Sequence, residues 1–367
     1  MLSSLPFRKE PEFTHGTAPH TAVLYCNLGT PDEPTPAAVR RYLAEFLADP
    51  RVVEIPRAAW LPLLHGIILP LRSGKSAAKY ATIWTPDGSP LKLWTEKQAK
   101  LLQGWLGEQG LRVPVRYAMR YGNPSIASQL DALKSDGATR ILVLPAYPQY
   151  SGTTTASVVD AVASWAAGIR HLPEIRFVNH YHDDRGYIQA ILRRVERYWR
   201  EHGRGEHLVM SFHGVPERTL HLGDPYHCQC QKTARLLATQ LRLETDQYTV
   251  AFQSRFGKAR WLQPYTEPSL RALAARGVAR VDVVCPGFTG DCLETLEEIA
   301  QEGRQAFLTS GGKDFHYIPC LNDEAAWIVA LGNVARQHLA GWPAGEPADP
   351  QALAQSRDAA VAKGAPR

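Results

Sequence analysis

Two features of this 367-residue chain hold residue types that can do chemistry together: an acidic segment, CPGFTGDCLETLEEIAQEG at 285–303, and a histidine at 213. The segment reads as a strand end, a glycine turn and then a helix over 291–304 carrying Asp291, Glu294, Glu297, Glu298 and Glu302. At 3.6 residues per turn, positions 291, 294 and 298 share one face, so three carboxylates line up. Such a ridge suits a hard or borderline divalent cation, or a relay for protons leaving a substrate. Acids also favour a helix N-terminus for its dipole, and Asp291 with Glu294 fits a capping box. Capping accounts neither for Glu298 nor for the apolar Phe288 beside the turn.

His213 closes the apolar run HLVMSFHG and is followed by Gly214 and Pro216, which puts an imidazole at the carboxyl end of a strand. Lone histidines are commonly structural, but this one shares its rim with Glu294. The remaining histidines, such as His171, His180, His182, His221 and His227, form no zinc-type spacing, and Cys228 and Cys230 are separated by a single residue with no second pair nearby. No GxGxxG follows the first strand, and neither GxxxxGK[ST] nor GxSxG occurs, which counts against nucleotide-dependent and serine-hydrolase chemistry. Three further loops, MRYGNPS at 119–125, YPQYSGTTT at 147–155 and FQSRFGKARWLQPYTEPS at 252–269, crowd aromatic rings and cations. That mixture suits a flat apolar ligand with carboxylates at its edge.

The elements that must position these groups alternate regularly. Strand-like runs at 21–29, 113–121, 139–147 and 174–181 are followed by others at 207–214, 247–254, 279–287 and 315–320, with helical stretches around 185–202, 228–243 and 266–276 between them. Alternation of this kind predicts an α/β fold with parallel sheets covered by crossover helices on both faces. The halves echo one another: NLGTPDEPT at 27–35 resembles FHGVPERT at 212–219, and LVLPAYPQYSGTTT at 142–155 resembles DVVCPGFTGDCLET at 282–295. Two similar doubly wound domains facing each other across a cleft are expected, 20–172 and 173–320, with a helix at 321–340 completing the first. Ligands in such folds sit outside the carboxyl ends of the strands, where these motifs fall. Thr35 and Pro36 mark the start of the first helix. Residues 1–19 and 342–367 read as mobile termini.

The stretch AAWLPLLHGIILPLRSGKSAAKY at 58–80 gathers Trp60, Leu61, Leu63, Leu64, Ile67, Ile68, Leu69 and Leu71 between prolines and is flanked by Arg57, Arg72 and Lys75. It is too short to span a bilayer and reads either as a core helix or as an apolar lip at a membrane interface with its cations at the headgroups. No signal-peptide core and no run of about 18 apolar residues appears, so a cytoplasmic protein is expected. Six scattered cysteines argue against a disulfide framework. A net charge of +5, from 41 basic and 36 acidic residues spread along the chain, argues against a nucleic-acid partner.

The strings NLGTP at 27–31, GSPL at 88–91, MRYGNPSI at 119–126, YPQYS at 147–151, SFHGVP at 211–216, FQSRFG at 252–257 and PGFTGDCLETLEEI at 286–299 together resemble the ferrochelatases of haem biosynthesis, from about residue 21 to about 335. The resemblance implies the last step of that pathway, insertion of Fe²⁺ into protoporphyrin IX with release of two protons. By motif, His213 corresponds to the family's active-site histidine and Glu294 to the glutamate opposite it, the pair expected to handle metal and protons. Asp291 and Glu298 correspond to acids continuing along an often distorted helix, a proton or metal path. Porphyrin contacts are implied from Leu28, Arg72, Tyr80, Ser89, Arg120, Tyr121, Trp261 and Phe288, with propionates at Arg72 and Ser89, while the 58–75 segment corresponds to the active-site lip. That correspondence favours the interfacial reading, with peripheral contact at the inner face of the membrane.

Some relatives hold a [2Fe–2S] cluster through a cysteine just after YPQYS and three near the C-terminus. Gly152 takes the first place here and no cysteine follows Cys320, so no cluster and no other cofactor is expected, Fe²⁺ being a substrate. A monomer or weak dimer is expected. Metallation of coproporphyrin, insertion of another metal, and non-catalytic porphyrin or haem carriage are the competing functions.

Overall fold

The structure, a computed structural model, describes residues 7–345 and 348–365. Among them, eight short strands form two sheets, and all pairings are parallel. β1 (His20–Gly29), β2 (Val115–Tyr121), β3 (Ala138–Pro145) and β4 (Glu174–Phe177) lie in the order β2-β1-β3-β4. β5 (His207–His213), β6 (Tyr248–Gln253), β7 (Arg280–Val284) and β8 (Asp314–Tyr317) repeat it as β6-β5-β7-β8. The central strands read as unbroken apolar runs because helices cover both faces, leaving no wet side to pattern. In β1, seven consecutive residues from Thr21 are buried.

The sequence echoes fall at equivalent places, NLG at the end of β1 and FHG at the end of β5, with the 145–155 and 285–295 segments leaving β3 and β7. Close approach dictates the glycine in the first. Gly29 has φ +119°, and a Cβ there would lie 1.8 Å from the Tyr121 carbonyl oxygen on β2.

Two expectations are corrected. A boundary at 172/173 would cut off β4, which pairs with β3 and belongs to the first sheet. The end of the chain carries a helix, Pro350–Ala362, capped by Asp349 and packed near the backbone of Gly16. Ahead of β1, the Glu10 carboxylate accepts from the backbone N–H groups of Arg170 and His171 and pairs with Lys134. The parts of the expected mobile termini at 1–6, 346–347 and 366–367 lie outside the described residues.

The lobes share one apolar core, running from Tyr25 and Leu144 of the first sheet through Met210 and Phe212 of the second. Helix Ala325–Leu339 lies in it, packed on both Pro90–Glu108 and Arg185–His202. Its Trp327 is fully buried against Tyr181 and Tyr187. Among the described residues no helix is long and apolar enough to cross a membrane.

Gly332 lets that helix approach, since a Cβ would stand 2.1 Å from the Trp105 ring. Alanine normally gains about 1 kcal/mol over glycine within a helix. Overpacking a filled core costs about 1–3 kcal/mol, so Gly332→Ala is expected to lower the urea unfolding midpoint despite its better propensity. A raised midpoint would refute the packing account.

Candidate active site

His213 ends β5, and the chain then turns through Gly214, where a Cβ would lie 2.8 Å from the Gln253 carbonyl and 3.0 Å from the Trp261 ring. Its Nδ1 is 2.6 Å from the Gly214 carbonyl oxygen. A carbonyl only accepts, so Nδ1 carries a proton and Nε2 is left as the ring nitrogen for exchange. The backbone carbonyl of His213 accepts from the Tyr226 hydroxyl at 2.9 Å.

The acidic segment departs from a regular helix. Cys292 and Thr295 cap one another at the start of helix Leu293–Leu296, so the capping box expected at Asp291 and Glu294 is shifted by one residue. A π-helix then runs Glu298–Gly303, including an Glu302 N–H to Glu297 carbonyl bond, before helix Arg304–Thr309. The wide turn brings Glu294, Glu297, Glu298 and Glu302 to one cleft.

Asp291 is not in that row. It lies buried ahead of the helix, where its carboxylate accepts from Tyr317 (2.5 Å), Asn322 (2.7 Å), Thr295 (3.2 Å) and the Cys320 N–H (3.3 Å). Four donors hold it as an anchor between loops, which corrects the expected ridge of 291, 294 and 298.

The cleft, of about 440 Å³, is walled on one side by Leu28, Tyr42, Phe46, Arg72 and Tyr80 of the first lobe, and on the other by His213, Ser254, Phe256 and the acids. A narrower cavity of about 90 Å³ continues inward between Tyr147, Gln149, Tyr226, Phe288 and Cys292. His213, Glu294 and Leu28 line both spaces. The Glu298 carboxylate accepts from the Ser254 N–H (2.6 Å) and hydroxyl (2.5 Å), and from the Gln253 amide (3.3 Å). Ser254 holds φ +66° to present both donors, a strained conformation of the kind found at functional sites. Burial pushes the Glu298 pKa up, with the Ser254 bonds and the His213 charge opposing it. Burial likewise raises Glu297, against the pull of Lys79, whose ammonium lies 3.0 Å from Glu297 and 2.8 Å from Glu302.

Of the porphyrin contacts expected by motif, Leu28, Arg72 and Tyr80 line the cleft and Phe288 the inner cavity. Arg72 lies 5.6 Å over the Phe256 ring, and burial lowers its pKa. The other four line neither space. Ser89 is buried, hydrogen-bonded to Thr30 at 2.7 Å. Arg120 and Tyr121 turn to Asp49, at 2.6 and 2.8 Å, and Trp261 is buried beneath Gly214 and against Phe256. Packing explains the difference: each polar group found a buried partner from a distant loop, and Asp49 sits in no motif. Tyr42, Ser254, Tyr226 and Lys79 were not singled out, although Ser254 and Lys79 lie inside quoted strings. Cys228 is exposed and Cys230 buried, and neither is paired.

Two lobes, each built on a parallel sheet, with a histidine and carboxylates lining one cleft at their strand ends define a chelatase-type protein. The fold resembles SirB from Bacillus subtilis, solved with Fe³⁺, at a TM-score of 0.51 and 16% identity, covering 89% of this chain and 100% of that one. The ferrochelatase family model matches residues 20–339. A ferrochelatase of Polaromonas sp. is 67% identical over 99% of this chain and 100% of its own length. Those of Methylibium petroleiphilum and Dechloromonas aromatica are 68% and 56% identical, over 94% and 98% of this chain and 95% and 99% of their own. The chain belongs to the ferrochelatase family and is an enzyme of haem biosynthesis that inserts iron into a porphyrin.

Burial alone would raise the Asp49 pKa, but bonds from Ser157, the Arg51 N–H and Tyr121, with the Arg120 charge, leave it below its ordinary 3.8. A lowered folded pKa stabilises above the unfolded value and is lost as pH falls through the folded one. Asp49→Ala, which strands the Arg120 guanidinium, is expected to cost about 3–5 kcal/mol in chemical denaturation at pH 7. The stability gap between the unaltered protein and Asp49→Asn should close as pH drops below 3.8. A gap independent of pH would remove the electrostatic explanation.

Proposed function

We propose that the cleft holds protoporphyrin IX, that His213 takes its pyrrole protons through Nε2, and that Glu294 receives the iron with Glu298 behind it as a proton relay. The observation that carries this reading is that His213 and Glu294 line both the cleft and the cavity behind it. The reaction balances as Fe²⁺ plus porphyrin giving ferrous porphyrin and two protons, with no electron transferred, and needs both a base and a ligand that releases the metal. An imidazole and carboxylates supply these. Among the described residues no three His, Cys, Asp or Glu side chains are gathered to hold a metal ion. The aromatic walls would favour a bent ring, in which the nitrogen lone pairs meet the ion, over a flat one.

Glu298 suits proton relay, since burial raises its pKa above the ordinary carboxylate value. Asp291 has no part in the path we propose. The reading includes no resident cofactor: Gly152 stands at the first cluster position, and Cys320 is buried beside Tyr317.

Protoporphyrin is favoured over coproporphyrin by the lip, where Leu63, Ile67 and Leu71 are 41%, 53% and 71% exposed beside Arg57 and Lys75. Apolar side chains next to cations fit a headgroup boundary, from which a poorly soluble ring would enter. Peripheral contact of a cytoplasmic protein with the membrane follows, as a monomer or weak dimer.

Purified protein should metallate protoporphyrin with Fe²⁺, or with Zn²⁺ as surrogate, without nucleotide and faster than coproporphyrin assayed beside it. His213→Ala should slow insertion by about 10²–10⁴-fold. Tight porphyrin binding with no insertion by the unaltered protein would point to a carrier, and a preference for coproporphyrin would overturn the substrate choice.

A further inference from the structure

We propose that Asp224, bound by the first-lobe loop leaving β3, is a positioning residue for His213, acting through Tyr226. The proposal rests on the reading of His213 as the proton acceptor.

Asp224 joins two elements that share no strand. One carboxylate oxygen accepts from the Gly152 N–H at 2.7 Å and the Ser151 hydroxyl at 3.3 Å, both in the loop leaving β3 of the first lobe. The other accepts from the Tyr226 N–H at 2.9 Å, at the start of helix Tyr226–Gln240 in the second. Tyr226 then donates its hydroxyl to the His213 carbonyl. Gly152 leaves the room this requires, since a Cβ there would already lie 3.3 Å from the Asp224 carboxylate.

Neighbouring bonds fasten the same loop and helix together. The Tyr150 N–H donates to Gln229 at 2.7 Å, and the Gln149 amide to Thr233 at 2.9 Å. The loop therefore sits in fixed register on the helix that fixes His213. Tyr147, Gln149 and Thr154 of this loop line the inner cavity together with His213 and Tyr226. Asp224 thus registers the imidazole against the first-lobe wall that faces it. Its carboxylate touches neither cavity, so its influence passes through position.

The two oxygens each have a separate N–H partner. An asparagine can satisfy only one of them, whichever way its amide turns, because its NH₂ must then face the other N–H. Asp224→Asn is therefore a nearly isosteric test that keeps the packing.

Zn²⁺ insertion into protoporphyrin would be followed in single-turnover mode for D224A, D224N, Y226F and D224A/Y226F, with porphyrin affinity and thermal midpoint measured on each. Displacing a reacting group slightly costs up to about 10²-fold, so D224A and Y226F are each expected to slow insertion about tenfold, D224N less, with porphyrin affinity within about twofold. The double variant should be no slower than Y226F, because the residues act in series. Additive losses, an unchanged rate in D224N, or a rate loss matched by lost porphyrin affinity would each overturn the proposal. If D224A fails to fold, D224N with Y226F carries the same test. H213A is run beside them: an undiminished rate there refutes the reading of His213 itself, whatever the Asp224 variants do.

Discussion

The wide turn at Glu298–Gly303 decides which carboxylates reach the cleft, and most of the site depends on it. In an α-helix, residues four apart overshoot a full turn by about 40°, so a row at that spacing drifts around the axis. Closing a bond from Glu302 back to Glu297 widens the turn, and four residues no longer complete it. The drift that begins between Glu294 and Glu298 is reversed before Glu302. A straight helix would carry Glu302 away from the cleft.

Nothing in the local sequence demands that turn, and its stability comes from outside the helix. The Gln253 amide bonds the Glu294 carbonyl at 2.6 Å, Ser254 grips the Glu298 carboxylate, and Lys79 reaches across from the first lobe to Glu297 and Glu302. These partners also manage a charge problem. Several carboxylates sharing a half-buried space repel one another and lose hydration, which raises their pKa values. Lys79 offsets part of this for Glu297, and Ser254 part of it for Glu298, while Glu294 lines the inner cavity together with His213. The division leaves Glu298 held by the neutral donors of Ser254 and Gln253.

The same dependence explains how much was legible beforehand. All eight strands could be read, β1 and β5 as apolar runs covered on both faces and edge strands such as β4 and β8 from their place in the alternation. Helix Arg185–His202 was read to the residue, between its Asp184 cap and Gly203. His213 and Glu294 were legible as strand-end and helix-start positions. The acidic helix was read as regular from its spacing, with only the family resemblance implying a distortion, since its turn is imposed by Gln253, Ser254 and Lys79, forty residues or more away in sequence. Asp291 followed the same error, because a three-residue spacing implies a shared face only if the helix has begun, and it begins after Cys292. Ser89, Arg120 and Tyr121 show the other limit. Polar residues at a strand-end rim look available until Thr30, and Asp49, which belongs to no motif, supply buried partners.

The lobes are tied in two ways, and the difference bears on how a flat macrocycle enters. At the floor the ties are buried: the shared apolar core, the Gln98 amide bonding the carbonyls of Thr289 and Asn322 at 2.8 and 2.7 Å, and the Gln149 amide on Thr233. Parting these would strand polar groups away from water, at about 1–3 kcal/mol for each. At the mouth the ties are wet: Lys79 to Glu302, Gln301 to Thr82, Arg218 to Glu54, and Arg72 resting on Phe256. Exposed ion pairs contribute about 0–1 kcal/mol each. The lip can therefore yield while the floor stays shut. Tyr226, Gln253 and the β5 strand, which hold His213 and the acids, all belong to the floor, so parting the mouth would leave His213 and Glu294 in place relative to one another.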